Sequence, residues 1–584
     1  MDKPFIPDFY KEKDIFVTGA TGFMGKVLLE KLLRSCNGLR RIFVLMRAKG
    51  GVSSQARLDE LLDTENQLAQ QSPLTPPFRF KPKLEYSPSF YIRFKLMFEL
   101  LRRQLIVVPF FVPPPQIFNA LRASDPCFAQ GKVIAVEGDL TLSELGLSAE
   151  HKRALCENVD IVFHSAAIVK FDEPLKSSID MNVLGTRRLL QLCQGMAFVH
   201  VSTAYCNCDK EDVAEIIYPP PFNPQSVIDA LRQAHALQLH NRSWMDDALV
   251  EAITPKLLGS RPNMYTFTKA LAESLVAEER GNLPVAIVRP SIVTAAWQEP
   301  IPGWIDNING PTGLLVASGK GLLRSMLADT EKAADFVPVD VVINTMIIVA
   351  WYTATQSLQT AYRLHKVPGK LRGSFEIGFR TRRSPVIDAL WARQSRTRSF
   401  CGTRCPTPSA IRAEASRRVA SSTPSPCLKL RNHFFLFRMV KLFTKLYKVM
   451  VSLEYFTTHE WRFNCTNLLA LLQEISPADR EIFCIDLRLL DWGRYFKDYV
   501  VGTRKFVLKE DPATVPEGRN TLRRLYIYQQ LLYAGLLAFV WRLVMCRSKS
   551  ACRLWHAVLS LFLPLLSLIS SVVGLPCSED IPKP

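Results

Sequence analysis

The first clear pattern along the chain is a short apolar run, a glycine-rich turn and an amphipathic helix, all within residues 14–33. Ile15, Phe16 and Val17 form the run, glycines follow at every third position from 19 to 25, and apolar residues at helical spacing continue to Leu33. In such a context the glycines allow a tight turn, close approach of a pyrophosphate and close packing of the helix. We therefore predict a dinucleotide site formed by Thr18, Gly19, Thr21, Gly22, Phe23, Met24 and Gly25.

Short apolar runs then alternate with helical patterns as far as residue 290. This alternation is typical of an α/β fold with a doubly wound, parallel Rossmann sheet. The pattern predicts strands at 41–47, 132–136, 160–167, 198–201 and 285–288, and an amphipathic helix at 182–193.

Residues that directly follow these strands are candidates for the cofactor crevice, because ligands of such sheets lie outside the carboxyl ends of the strands. For Asp139, a role in a turn or as a helix N-cap is the alternative. The predicted crevice residues are Asp139, Leu140, His164, Ser165, Ala166, Pro290 and Ser291.

The end of the second predicted strand indicates which dinucleotide is bound. Sites for NAD place Asp or Glu about 20 residues beyond the glycines, whereas a 2′-phosphate is accommodated by Arg. Met46 and Arg47 occupy this position, Lys49 lies close by, and the position carries no acidic residue. We predict that the cofactor is NADPH and that Arg47 binds its 2′-phosphate.

A second informative stretch is NMYTFTKALAESLVA, at residues 263–277. Tyr265 and Lys269 are four residues apart, so on a helix they share one face. A neighbouring ammonium favours the ionised phenol, and we predict that Tyr265 donates a proton to a carbonyl while Lys269 also holds the nicotinamide ribose. Ser202 and Thr203, at the tip of a neighbouring strand, are predicted to orient that carbonyl. A solvated pair on a surface helix is the alternative.

The basic charge of the chain is local. The 584 residues carry a formal net charge of +19, and 12 Lys+Arg against 3 Asp+Glu lie at residues 373–432. We predict that residues 371–432 are disordered, because a composition rich in Arg, Ser and Pro buries too little apolar surface. A patch for anionic lipid or nucleic acid is the alternative, although no nucleic-acid partner is expected. Residues 72–116, which include nine prolines, are predicted to be an irregular insertion.

Cysteine spacing and the N-terminus bear on metal binding and compartment. Fourteen cysteines are scattered without the paired spacing or the histidine partners of a zinc site, so no metal is predicted. The charged N-terminus lacks the apolar core of a signal peptide. We therefore expect the catalytic part to face the cytosol with its thiols reduced.

A hydrophobic, membrane-associated tail is predicted over residues 525–576. The apolar run at 531–541 stops at Arg542 and is too short to span a bilayer, whereas 557–575 has no charged residue over 19 positions. The basic residues between the two runs favour one membrane segment with the earlier run at the interface. A buried pair of globular helices is the alternative.

Several stretches together resemble one known family. The chain resembles the animal-type fatty acyl-CoA reductases, within the extended short-chain dehydrogenase/reductase superfamily. Residues 439–511 are similar to the helical C-terminal domain of the same family. The resemblance divides the chain into a catalytic domain at 1–370 and a smaller, mostly helical domain at 433–515. The matching stretches are VTGATGFMGKVLLEKLLR, KVIAVEGDL, HSAAIVKFDEPL, NVLGTRRLL, FVHVSTAYCN, YTFTKALAE and IVRPSIV.

The resemblance implies reduction of a long-chain acyl-CoA to a primary alcohol in two hydride transfers, with two NADPH used and CoA released. It also implies attachment to the endoplasmic reticulum or peroxisomal membrane, with membrane lipid as a partner. Two alternatives stay open. One is a membrane-bound reductase of a sterol or other carbonyl, and the other is a nucleotide-binding membrane protein whose insertions impair catalysis. The acyl chain length and the oligomeric state do not follow from the sequence.

Overall fold

The computed structural model describes most of the chain, in ranges separated by gaps. The described residues up to Lys509 belong to one compact unit, and those from Glu510 onward belong to a second unit. The described ranges are 4–62, 116–241, 245–323, 326–329, 331–363, 374–377, 379–381, 426–510 and 515–547.

The strands of the first unit form one large sheet and two small ones. The strands are β1 (Asp14–Thr18), β2 (Arg41–Met46), β3 (Val133–Glu137), β4 (Ile161–His164), β5 (Ala197–Val201), β6 (Asp212–Val213), β7 (Val285–Pro290), β8 (Ile292–Thr294), β9 (Ala334–Pro338), β10 (Ser374–Ile377), β11 (Phe379–Thr381) and β12 (Arg462–Phe463). The large sheet has the order β10-β7-β5-β4-β1-β2-β3, and the small sheets have the orders β11-β9-β8 and β12-β6.

The seven strands of the large sheet are parallel, so their carboxyl ends meet at one edge. Thr18 lies beside Leu45 and His164, and His164 lies beside His200. The strand order reverses between β1 and β4, which is where a doubly wound sheet binds its ligand. The predicted parallel Rossmann sheet is confirmed.

Helices cover both faces of the sheet, because its central strands are apolar on both sides. Ile15 and Val17 pack on one face and Phe16 packs on the other. The helices are Phe5–Phe9, Phe23–Ser35, Ser54–Leu62, Asn119–Ser124, Ala149–Asn158, Leu175–Ile179, Gly185–Leu192, Pro224–Asn241, Met245–Leu258, Met264–Glu279, Pro311–Gly319, Val339–Arg363, Pro426–Thr458, Thr466–Glu474, Pro477–Ile482, Trp492–Gly502 and Val515–Arg547.

Two segments predicted to be irregular fall mostly outside the described residues. Of the insertion at 72–116, only residue 116 is described. Of the segment predicted to be disordered at 371–432, the described residues form β10, β11 and the start of a helix. The prediction is corrected there because Phe375 pairs with Val288 of the central sheet, and Phe379 pairs with Phe336. The stretch SFEIGF alternates apolar and polar or small residues, but the basic composition of the surrounding segment gave no indication of a strand.

The region predicted as a separate helical domain at 433–515 does contain helices, but as far as Lys509 it belongs to the same compact unit as the sheet. Tyr495 is buried and its hydroxyl donates to Ala295 O over 2.8 Å. Tyr499 is also buried, with its hydroxyl 2.7 Å from Thr312 Oγ1. The two regions merge because these tyrosines lie in the main core, each with a polar partner from the catalytic part. We call residues 426–510 the C-terminal segment.

The second unit is described only as the long helix Val515–Arg547. The apolar run at 531–541 lies within this helix, and its side chains are exposed, Leu537 by 76%. Across the described ranges, no helix combines the length and the apolar character needed to cross a membrane. The membrane segment predicted at 557–575 lies outside the described residues.

Candidate active site

The glycine turn has the geometry that a dinucleotide requires. Gly19 has a φ of 79°, and a Cβ there would lie 2.7 Å from Ala166 N. A Cβ on Gly25 would lie 2.3 Å from Gly19 O, so only glycine lets the helix pack on the turn. Gly22 is the N-cap of the helix Phe23–Ser35, and no described side chain caps this end. The first N–H groups of the helix are therefore available to an anion.

The other predicted residues of the turn support it in different ways. Thr21 is exposed beside Gly22, at the mouth of the crevice. Phe23 is partly buried and stacks on Trp304 with ring centroids 5.6 Å apart. Met24 is partly buried and packs against the main core. Thr21 and the backbone of the turn are thus the parts that face a ligand.

His164 acts beneath the turn rather than in the crevice. Its side chain is 1% exposed, and burial lowers the pKa of its ring to about 3, with the charge of Lys269 adding to the effect. Thr186 Oγ1 donates to Asn182 O and so accepts from His164 Nε2 over 2.9 Å. Nδ1 is then the acceptor for the Thr18 hydroxyl at 2.8 Å. This neutral imidazole ties β1 and β4 to the following helix, and both its nitrogens are occupied.

The residues next to His164 complete this support. Ser165 donates its hydroxyl proton to Thr18 O over 2.8 Å, and Ala166 lies in close approach to Gly19. Leu140 is buried in the hydrophobic cluster on the face of the sheet that carries Phe16, and its Cβ lies next to Gly185. Leu140 and Ser165 therefore hold the crevice from below, and they reach a ligand at most through their backbone.

Arg47 and Asp139 lie together at the other end of the crevice. Arg47 is 60% exposed, and its Nη1 lies 3.5 Å from Asp139 Oδ2. Asp139 Oδ1 accepts from the N–H and the hydroxyl of Thr141, which makes a turn. Burial raises the pKa of Asp139, but these hydrogen bonds and Arg47 lower it by more, so the net shift is downward. The alternative role of Asp139 in a turn is thus present beside its position at the crevice.

Tyr265 and Lys269 lie one turn apart on the helix Met264–Glu279. This helix begins at Asn263, whose side chain accepts from Thr266 N over 3.0 Å. Lys269 is 3% exposed and its Nζ donates to Val201 O over 2.6 Å, directly before the strand tip. Tyr265 remains partly exposed. The structure therefore holds the lysine beneath the sheet edge and leaves the phenol at the surface of the crevice.

The surroundings of Tyr265 act on its phenol in opposite directions. Burial raises the pKa of Tyr265 above its usual value, Cys206 adds to this, and a hydrogen bond from Thr203 opposes it. The shift is upward because loss of solvation outweighs the stabilising contacts of a phenolate. The raised pKa favours the protonated phenol, which is the form that donates a proton to a carbonyl oxygen.

Thr203 and Ser202 follow β5, as predicted, and differ in their contacts. Thr203 hydrogen-bonds the phenol of Tyr265 and also accepts from Tyr205 N over 3.3 Å. Ser202 is buried, and its hydroxyl has no hydrogen-bond partner among the described residues. Ser291, just after Pro290 at the end of β7, is also buried, and its hydroxyl likewise has no hydrogen-bond partner among the described residues. Unmade hydrogen bonds on buried groups are costly, so these two hydroxyls are suited to a bound ligand.

The sequence reasoning missed a buried ion pair behind Lys269. Glu273 lies one turn beyond the lysine and accepts from Arg289 at 2.9 Å (Nε) and 2.6 Å (Nη2). The thiol of Cys206 donates to Glu273 Oε1 over 3.3 Å. The spacing of Lys269 and Glu273, again four residues, was the available signal in the sequence. The glutamate places a negative charge near the buried ammonium.

Glu273→Gln is expected to move the alkaline limb of the kcat/KM profile to lower pH by about one unit, as loss of a nearby opposite charge typically does. Burial lowers the pKa of Lys269 to about 8, while Glu273 and Cys206 raise it. Without Glu273 the ammonium loses its proton at lower pH, while His164 and His200 stay neutral.

The matched control is Glu278→Gln on the same helix, where the carboxylate accepts from Ser274 instead. The unfolding temperature of each variant is recorded in parallel, because Arg289 loses a charged partner in Glu273→Gln. A folded Glu273→Gln protein with an unshifted limb would contradict the assigned role.

The residues present fit a dinucleotide. The glycine turn leaves no room for a Cβ, and the helix that follows it begins without a side-chain cap among the described residues. Buried hydroxyls that have no partner in the described part of the chain lie at the ends of β5 and β7. The described residues contain no cluster of side chains that could hold a metal ion. The arrangement can bind a dinucleotide and donate a proton to a carbonyl beside it.

The chain is similar to known proteins over nearly its whole length. Two family models, both described as male sterility protein, match it: the NAD-binding model at residues 17–81 and 115–346, and a second at 429–510. Fatty acyl-CoA reductase 1 of Xenopus laevis and that of Homo sapiens are each 36% identical to the chain over 579 residues, which is 96% of the chain and 98% of the relative. Fatty acyl-CoA reductase 2 of Mus musculus is 35% identical, over 95% of the chain and 96% of the relative.

A solved structure, the reductase domain of a non-ribosomal peptide synthetase from Mycobacterium tuberculosis, aligns with a TM-score of 0.46 and 17% identity, over 87% of this chain and 97% of that one. This likeness is too remote to bear on the site. The curated relatives are much nearer and span the catalytic part and the C-terminal segment alike. By this similarity the chain belongs to the fatty acyl-CoA reductase family.

Proposed function

We propose that this protein reduces long-chain fatty acyl-CoA to the primary alcohol, with NADPH as the reductant and release of CoA. The observation that carries the proposal is that the helix with Tyr265 and Lys269 lies against the end of β5 and Thr203, at the same edge of the sheet where the glycine turn follows β1. Membership of the family supports an acyl-CoA as the substrate.

The chain's own residues account for the proton chemistry of two successive reductions. The nicotinamide, when bound, supplies a hydride to the carbonyl carbon at each step. Tyr265 donates its phenolic proton to the carbonyl oxygen as negative charge develops there, and Thr203 hydrogen-bonds the resulting phenolate. In the first step the protonated adduct loses CoA as a thiol and leaves the aldehyde. Tyr265 regains a proton from solvent between the two steps, and in the second step the aldehyde gains one hydride and one proton and becomes the alcohol.

Lys269 has a positioning and electrostatic role in these steps. Its ammonium is fixed on Val201 O and balanced by Glu273, one turn beyond it. A positive charge one helical turn from Tyr265 favours the anion that forms on the phenol during proton transfer. The lysine thus assists the proton transfer without itself contacting the carbonyl.

One assay tests the function against its alternatives. Membranes containing the protein are given NADPH and acyl-CoAs of graded chain length, and fatty alcohol and free CoA are both measured. We expect two NADPH consumed for each alcohol and CoA formed. Turnover of a sterol but not of acyl-CoA would favour the lipid-carbonyl alternative. Nucleotide binding without any turnover would favour an impaired, nucleotide-binding membrane protein.

For the cofactor, Arg47→Ala is expected to raise the KM for NADPH by about tenfold or more while changing that for NADH less than about twofold, since a charge-assisted contact to phosphate contributes roughly 1.5–3 kcal/mol. Arg47 supports the proposal because its exposed guanidinium lies at the carboxyl end of β2. The matched control is Arg153→Ala on the helix Ala149–Asn158, away from the end of β2. Equal effects on the two cofactors would remove Arg47 from the 2′-phosphate site.

We also propose that the tail attaches the catalytic unit to a membrane, with the endoplasmic reticulum or the peroxisome as the compartment and the catalytic part in the cytosol. The exposed leucines and aromatic residues of the helix Val515–Arg547 support attachment, because large exposed apolar surfaces favour lipid or partner contact. The full chain is expected to stay in the membrane pellet after alkaline carbonate washing. Release of the full chain into the supernatant would argue against a membrane span.

A further inference from the structure

The C-terminal segment is anchored next to the catalytic strand tip. β12 pairs in parallel with β6, and Arg462 Nη2 contacts Asp212 Oδ2 at 2.6 Å. The indole N–H of Trp461 and the hydroxyl of Tyr455 both donate to Cys208 O, over 3.0 and 2.8 Å. These contacts fix the end of the long helix Pro426–Thr458 against the turn that follows β5.

A row of aromatic rings leads from this anchor to the catalytic tyrosine. Tyr205 meets Phe456 edge-on with ring centroids 5.4 Å apart. Phe456 lies 5.6 Å from Phe171, and Phe171 stacks on Tyr265 at 6.3 Å with an interplanar angle of 25°. All three separations are within the range of favourable aromatic pairs. The C-terminal segment therefore contributes a ring to the immediate surroundings of the proton donor.

Phe171 and Phe456 are also only partly buried, as is Tyr265 itself. A carbonyl that receives its proton from Tyr265 carries an alkyl chain that gains free energy wherever it leaves water for an apolar surface. The two rings provide such a surface starting at the phenol. Phe171 lies between Tyr265 and Phe456. An acyl chain must therefore extend beyond its first few carbons to reach Phe456.

We propose that Phe171 and Phe456 form the wall along which the acyl chain lies, so that the C-terminal segment completes the substrate site and Phe456 favours long chains. This inference rests on the proposed function. It gives residues 426–510 a part in substrate selection, in addition to their packing in the core.

Phe456→Ala, measured in the full-length membrane-bound protein, tests the inference. We expect kcat/KM for palmitoyl-CoA to fall about tenfold or more, at about fourfold for each methylene that loses its apolar contact. The value for butanoyl-CoA is expected to change less than twofold. Phe456→Leu, which keeps an apolar side chain, should recover part of the loss for the long substrate.

Phe463→Ala is the matched control, because Phe463 packs on Tyr205 in the same aromatic cluster without a ring contact to Phe171. Its effect, if any, should be equal for short and long substrates. The inference would be overturned if Phe456→Ala left the ratio of kcat/KM for palmitoyl-CoA to kcat/KM for butanoyl-CoA unchanged. Failure of the proposed function would look different, because the unmodified protein would then form no alcohol from either substrate.

Discussion

Tyr265→Phe is expected to lower kcat by about 10²–10⁴, the range typical of a lost general acid. Burial raises the pKa of the phenol and Thr203 hydrogen-bonds it, so removal of its hydroxyl deletes the proposed proton donor without changing the ring. The ring contact with Phe171 is retained. Alcohol formation is measured under saturating NADPH.

Nucleotide binding distinguishes this loss from misfolding. NADPH affinity of Tyr265→Phe, measured by quenching of protein fluorescence, should stay within about threefold of the unmodified protein, less than 1 kcal/mol. Loss of NADPH binding together with turnover would contradict the role of Tyr265 as proton donor and would make it a structural part of the cofactor site.

The second large effect is expected at the glycine turn. Gly25→Ala should weaken NADPH binding by about a hundredfold, or about 2.7 kcal/mol. Its Cβ would meet the backbone at Gly19 and Ala20, at 2.3 and 2.5 Å, and backbone atoms cannot move aside like the end of a flexible side chain. The helix must then separate from the turn and carry its anion-binding N–H groups out of place.

Gly319→Ala is the matched control for this change. Gly319 also lies in a helix, but a Cβ there would meet no atom of the described residues within 4 Å. Binding by this variant should equal that of the unmodified protein. Unimpaired NADPH binding by Gly25→Ala would mean that the turn relaxes, and that the third glycine is not required for the site.

Local sequence patterns were enough to indicate the candidate site, because its features are close together along the chain. The turn from Gly19 to Gly25 and the four-residue spacing of Tyr265 and Lys269 are properties of single elements. Strand ends were recognisable as well, which brought Thr203 and Ser291 to the correct edge of the sheet.

The contacts that sequence reasoning did not indicate are those between separate elements of the fold. His164 follows the pattern of a crevice residue, yet both nitrogens of its ring are hydrogen-bonded beneath the turn, one to Thr18 and one to Thr186. Arg289, just beyond the strand predicted at 285–288, pairs with Glu273 in the interior. Neither partner can be inferred from hydrophobic periodicity, because periodicity shows which face is buried but not which polar groups meet there.

By itself, the sequence determined the α/β class, the glycine turn, the place of Tyr265 and Lys269 on one helix face and the family to which the chain belongs. Only the tertiary structure decided the surroundings of Tyr265, the environment of Lys269 and the place of the C-terminal segment beside the candidate site. The physical reason is the separation along the chain between the residues that set each feature. Turn geometry and helical spacing are fixed by neighbouring residues, whereas burial, charge pairing and aromatic contact arise between residues such as Phe171 and Phe456, which meet only when the chain is folded.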